Sequence, residues 1–288
     1  MLNVFLAPTG LYSRAMLRVA SALAQHAPSS VRIVEHRGYA DLVVSHVIAP
    51  EDVPSEPEVV IQYCLRTTGR DYDWWLRRWQ STRMVWSYFD LLAELGELPG
   101  VNFYHAPLGV DAAFTQKYSE DEGPRDIPVM TSGYVSHPAG EAIEEMALAA
   151  AAVGLRVLHL GPPVVEGMPA TPPGWSSVSG ISDCDLAALY RQCEWVSGLR
   201  HAEGFELPVI EGLCCGARPI VFDRPDMTQW YEGHAAFVPE CSGEELVDVL
   251  IEVLSHVPVP VSESERIEVA RKFDWGVIAR GFWERLGV

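Results

Sequence analysis

Short apolar runs alternate with helical periodicity along this chain. The runs at 3–7, 31–35, 41–47, 58–63, 84–88 and 101–105 have the length and composition of strands. Between them the pattern predicts a helix from a Ser13 cap to about Gln25, a second over 71–80 and a short third through Leu95. The pattern then breaks. Residues 117–125 are polar and acidic and contain Gly123-Pro124, which reads as a linker. It restarts with strands at 128–132, 155–160, 194–199 and 218–222, and helices at 141–153, 184–192, 208–215 and 243–255. Residues 161–175, rich in proline and glycine, read as a loop, and 262–286 as two helical pieces. Such alternation predicts an α/β fold with parallel sheets. Its restart after a linker predicts two Rossmann-like domains facing a cleft.

Composition narrows the picture. With 48% hydrophobic residues in 288, the chain has material for packed cores and is not disordered by composition. No apolar run reaches the roughly 20 residues of a bilayer span. The opening Met1-Leu2-Asn3-Val4-Phe5 lacks a basic leader and reads as a strand rather than a signal peptide. Lys+Arg 21 against Asp+Glu 39 gives a net charge of −18, which repels long nucleic acid and anionic lipid. Arg77, Arg78 and Arg83 form the one notable basic cluster, where a polyanionic acceptor would meet the protein. The six cysteines include no Cys-x-x-Cys pair, and Cys214 and Cys215 are adjacent. They read as reduced core cysteines of a cytoplasmic protein, with no metal site expected.

The segment 198–223 concentrates the candidate chemistry. A strand ends near Leu199, a glycine-bearing turn follows, and Pro208 stands in a first helical turn, where its missing N–H costs nothing. Glycine lets a backbone approach a ligand closely, and the free N–H groups of a helix start attract phosphate. Glu203 precedes the helix and Glu211 lies one turn inside it, so both can face one ligand over the helix start. A carboxylate there accepts two sugar or ribose hydroxyls.

The run Glu203-Gly204-Phe205-Glu206-Leu207-Pro208-Val209-Ile210-Glu211, continuing through Val221, resembles the Glu-x7-Glu donor signature of the large retaining GT-B glycosyltransferase family, which includes sucrose- and glycogen-type synthases. His105-Ala106-Pro107-Leu108-Gly109-Val110-Asp111-Ala112-Ala113-Phe114 resembles the element closing the first domain of that family, with Leu108 where Asn is usual. Residues 81–95, with Ser87, resemble the strand–serine–helix before it. Residues 262–286, with Phe273-Asp274-Trp275, resemble the closing helices.

The resemblance implies a GT-B fold: an acceptor-side domain at 1–118, a donor domain at 126–272, and a helix at 273–288 returning to the first domain. It implies transfer of a sugar from a UDP- or GDP-linked donor to an unknown acceptor, with retention, without metal and with no other cofactor. Glu203 would contact the transferred sugar, and Glu211 the ribose. Gly204, Phe205 and Leu207 would offer backbone groups to sugar and phosphate, with Glu206 among them. The family's Arg and Lys after the first strand of the donor domain are absent, since Tyr134 and Ala139 stand there. The leaving diphosphate still needs charge stabilisation, for which Arg200, His137 and Arg14 are candidates, beside Gly133, Ser136 and the Gly10 turn. Tyr12, Arg14, His46, Trp74 and Tyr88 are candidates for the acceptor side. Trp75 and Trp79 share one helix face and read as core. Asp111 is expected to cap the following turn. A nucleotide-sugar epimerase and an inactive, binding-only relative are the alternatives.

Overall fold

The computed structural model describes residues 1–7, 14–47, 59–62, 72–90, 99–116, 125–133, 142–161, 173–201 and 204–288. The first half runs β1 (Leu2–Leu6), α1 (Arg14–Gln25), β2 (Val31–Ile33), β3 (Leu42–Val47), β4 (Val59–Gln62), α2 (Tyr72–Gln80), β5 (Met84–Ser87) and β6 (Phe103–His105). There follow α3 (Ala112–Thr115), β7 (Ile127–Ser132), α4 (Ile143–Ala152), β8 (Val157–Leu160), β9 (Trp175–Val178), α5 (Asp183–Gln192), β10 (Cys193–Gly198) and α6 (Leu207–Cys214). The last part holds β11 (Arg218–Phe222), α7 (Pro225–Tyr231), β12 (Ala236–Val238), α8 (Glu244–Leu254), α9 (Glu263–Lys272) and α10 (Trp275–Leu286).

Among the described residues the strands form two six-stranded sheets, ordered β2-β1-β3-β4-β5-β6 and β12-β11-β10-β7-β8-β9. Every strand pair is parallel. Parallel strands are covered on both faces, and all four residues of β5 are accordingly buried. Each sheet starts in its interior, grows one way and then reverses, between β1 and β3 in the first and between β7 and β10 in the second. The carboxyl ends of strands at such a reversal form the crevice where α/β sheets bind ligands.

The chain divides into two compact units. One comprises Met1–Gly109, Ala202–Phe205 and Phe273–Val288; the other comprises Val110–His201 and Glu206–Lys272. In the first unit, Trp75 and Trp79 stack with ring centroids 5.5 Å apart, both buried, as core residues should. Helix α10 is capped by Asp274, which accepts the N–H of Val277 at 2.9 Å, and ends on left-handed Gly287. Its Phe282 meets Trp86 at 5.5 Å, and its Trp283 Nε1 donates to the carbonyl of Leu23. Gly109 is required by this helix, because a Cβ there would overlap the Trp275 ring. In the second unit, Val129, Ala149, Ile220, Phe222, Leu246 and Leu250 lie in one continuous core.

Several expectations need correction. Trp175, read as the end of a loop, opens the edge strand β9. The elements α3, α7 and β12 were not foreseen. The second unit begins at Val110 and so includes α3. Asp111 does stand at the N-cap of α3, but its side chain makes no capping hydrogen bond. The helix expected through Leu95 and most of the expected linker lie outside the described residues.

Candidate functional site

At the reversal point of the second sheet, β7 and β10 lie side by side, with Val196 paired to Met130. Strand β7 ends at Ser132 and turns at Gly133, whose φ of 115° favours glycine. Beyond β10, Arg200 reaches across this edge. Its Nη2 donates to the Ser132 carbonyl at 3.4 Å, and its Nη1 lies 3.3 Å from Oε2 of Glu206. Arg200 therefore ties the end of β7 to the start of α6.

Helix α6 sits tightly on β10 because two glycines allow it. A Cβ on Gly198 would overlap Cγ2 of Val209, and one on Gly212 would lie 2.8 Å from Cγ1 of Val196. The helix opens with Glu206 at its N-cap and Leu207-Pro208 in its first turn. The Glu206 carboxylate is buried and is not used as a cap. Its main chain is held from elsewhere: Glu206 N–H donates to the Tyr231 hydroxyl, which in turn donates to the Glu206 carbonyl, both at 3.2 Å. Glu211, one turn inside the helix, is also buried. The start of α6 lies beyond the carboxyl end of β10, and the positive end of a helix dipole favours an anion.

Two clusters back this edge. On β8, His159 faces Thr131, with Nδ1 3.0 Å from Oγ1, and stacks on Trp175 at 5.1 Å. Burial pushes its pKa down to about 4, so the ring is neutral near pH 7. Gly161 makes room for it, since a Cβ there would overlap the imidazole and lie 2.7 Å from the Gly133 carbonyl. Beyond β11, buried Arg224 pairs through Nε with Asp226 at 3.0 Å. Its Nη1 donates to the His201 carbonyl at 2.8 Å and to Glu240 at 3.2 Å. His201 Nδ1 lies 3.1 Å from the same Glu240 oxygen, and its ring packs on Phe222 at 4.6 Å.

The remaining candidates divide between the units. Gly204 and Phe205 belong to the first. A Cβ on Gly204 would lie 2.7 Å from the Phe89 ring, and Phe205 packs 6.1 Å from Tyr88 and 5.7 Å from Phe273. Tyr88 is fully buried in this aromatic cluster. His46 lies within β3, opposite Ile61 near the strand's carboxyl end. Burial lowers its pKa to about 4. Ser87 accepts the N–H of Phe89 at 3.0 Å. Arg83 donates to the carbonyl of Leu286 at 3.3 Å, and Arg77 is exposed. Arg14 opens α1 and Trp74 lies in α2; their side chains are outside the described set. So are Gly10, Tyr12, Ser136, His137 and Glu203, together with Tyr134 and Ala139.

Sequence reasoning missed His159, Arg224 and Tyr231. A histidine inside an apolar strand was a weak signal for the first. The other two act through the fold alone. Among the described residues no group of three or more His, Cys, Asp or Glu is arranged to hold a metal ion, and no helix is long and apolar enough to cross a membrane.

No protein-family model matches the chain, and no curated protein sequence does. Solved structures match over the whole length. Anabaena HepE in complex with UDP aligns with a TM-score of 0.69 at 12% identity, covering 100% of both chains. Sucrose-phosphate synthase from Thermosynechococcus elongatus aligns at 0.66 and 12% identity, covering 98% of this chain and 97% of that one. AviGT4, a glycosyltransferase involved in avilamycin A biosynthesis, aligns at 0.61 and 14% identity, covering 100% and 97%. The likeness is one of fold: two parallel six-stranded sheets with helices, the GT-B architecture.

Proposed function

We propose that this protein is a glycosyltransferase that takes a sugar from a nucleoside-diphosphate donor held at the carboxyl edge of the second sheet. The observation that carries this reading is that Arg200, at the reversal point of that sheet, joins the end of β7 to Glu206 at the start of α6, within the stretch that resembles the donor signature. A GT-B fold over the full chain supports it, and HepE has been solved with UDP and with UDP-glucose.

In this reading Glu203 binds hydroxyls of the transferred sugar and Glu211 the ribose. The start of α6 and Arg200 meet the diphosphate, with His137 and Ser136 as further candidates. The reaction retains anomeric configuration and needs no metal. The departing phosphate helps remove the acceptor proton, so no protein base is required. Exclusion of water from the site limits hydrolysis of the donor. The protein works in the cytoplasm on an acceptor still to be identified.

Calorimetric titration with UDP, GDP, UDP-glucose and GDP-mannose tests this reading. Binding of one nucleotide and its sugar conjugate is expected, with weaker nucleotide binding in Glu211→Ala. Absence of all binding at millimolar ligand overturns the enzyme reading. The substitutions Tyr134 and Ala139 favour a second reading, a binding-only relative. Donor binding with no hydrolysis or transfer over days would support that one.

A further inference from the structure

Helix α7 lies outside the donor motif, yet its two ends reach the two residues that flank the motif's turn. At its N-cap, Arg224 donates to the carbonyl of His201 at 2.8 Å. At its last residue, Tyr231 accepts the N–H of Glu206 and donates to the Glu206 carbonyl. In the chain, His201 stands immediately before Ala202-Glu203, and Glu206 stands at the N-cap of α6.

Both attachments are built rather than incidental. Arg224 and Tyr231 are buried, at 3% and 0% exposure. The guanidinium is oriented by Asp226 on its Nε and by Glu240 on its Nη1, and it lies 5.8 Å from the Phe222 ring. Glu240 also holds the His201 side chain, so His201 is fixed through backbone and ring together. A buried forked donor with acceptors on two sides has one orientation available to it. The Tyr231 hydroxyl uses donor and acceptor functions on one residue's backbone, which fixes that peptide's direction as well as its place. A seven-residue helix between the two contacts acts as a rigid spacer.

We propose that α7 is a splint for the donor motif, with Arg224 and Tyr231 as positioning residues that fix His201 and Glu206, the two residues flanking the motif's turn in the chain. The proposal rests on the donor-site reading above. It extends that reading by assigning the precision of the sugar site to residues that touch no ligand. Small errors in such placement weaken binding of the sugar more than of the nucleotide, which is held further along α6.

The test uses Tyr231→Phe, which removes one oxygen, and Arg224→Lys, which keeps the charge but loses the fork. Hydrogen exchange is measured on the free proteins, and UDP, UDP-glucose, GDP and GDP-mannose are titrated into each, the pair that wild type binds giving the comparison. The exchange arm needs no ligand. The Glu206 amide is expected to exchange at least 10-fold faster in Tyr231→Phe, while amides of β7 and β11 keep wild-type rates. In the binding arm, affinity for the nucleotide sugar of that pair falls about 10-fold in each variant and affinity for its free nucleotide less than 3-fold. Unchanged exchange at Glu206 in Tyr231→Phe overturns the splint. Equal losses for the two members of the pair overturn the sugar-positioning role. Wild-type protein that binds neither UDP-glucose nor GDP-mannose overturns the donor reading, whatever the exchange rates.

Discussion

Arg200 and Glu206 face each other across the start of α6, Nη1 to Oε2 at 3.3 Å, with the carboxylate 1% exposed and the guanidinium 17%. A carboxylate so enclosed needs its cation. Removing one member of such a pair strands the other charge, which costs roughly 3 kcal/mol, whereas removing both is far less damaging. Arg200→Leu is therefore expected to lower the unfolding free energy by about 2–4 kcal/mol. The double variant Arg200→Leu/Glu206→Leu should recover more than half of that loss. Urea denaturation of the four proteins measures the coupling, and additive losses would show that the contact carries no energy.

The seat of α6 on β10 depends on Gly198. Alanine there meets Val209, and overpacking of this sort costs about 1–3 kcal/mol. Gly198→Ala should be destabilised by that amount, and Gly198→Ala/Val209→Ala should be more stable than the sum of the single losses. A thermal unfolding series decides it; strict additivity would mean that the two side chains do not compete for the space.

Gly109 bears the same relationship to Trp275 in the other unit. Its φ is not in the left-handed region, so the demand for glycine is steric rather than conformational. Gly109→Ala is expected to lower stability by about 2 kcal/mol or more, because the indole is buried and has little room to give. Trp275 fluorescence and denaturant midpoints report on it together, and an unchanged midpoint would refute the requirement.

Two buried histidines make stability pH-dependent. His46 and His159 titrate at about 4 when folded, against 6.5 for the free side chain. Between those values the unfolded chain binds more protons, so stability is full above pH 6.5 and declines as pH falls toward 4. Each histidine contributes a loss of roughly 2 kcal/mol between pH 6.5 and 4.5. Replacing His159 by Gln should flatten that part of the profile in denaturant titrations at several pH values. A variant with the wild-type slope would remove His159 as a source.

Much of the fold was legible because the strands are buried on both faces and the helices are amphipathic. β11 was bounded correctly to the residue, and α6 to within one. What escaped had local reasons. β9 is Trp-Ser-Ser-Val, half polar at a sheet edge, and follows a stretch rich in proline and glycine. α7 has seven residues, a proline in its first turn and no capping side chain, so it carries little helical signal. The resemblance of the Glu203–Val221 run to a donor signature was readable as a string because glycines, a proline and carboxylates stand at fixed offsets. Arg224 and Tyr231 were not, since each earns its interest through a partner 23 or 25 residues away.

The placement of α10 in the first unit has a consequence for biosynthesis. The unit that begins the chain includes Phe273–Val288, and Trp283 bonds to Leu23 across 260 residues. Domains emerging from a ribosome ordinarily fold in the order in which they are made. Here the order inverts at the end. The second unit is made of Val110–His201 and Glu206–Lys272, all of it synthesised before α10, so that unit can close while the first still waits for its last helix. Until α10 emerges, Trp86 and Tyr104 lack the cover of Phe282, and the half synthesised first is the last to be finished.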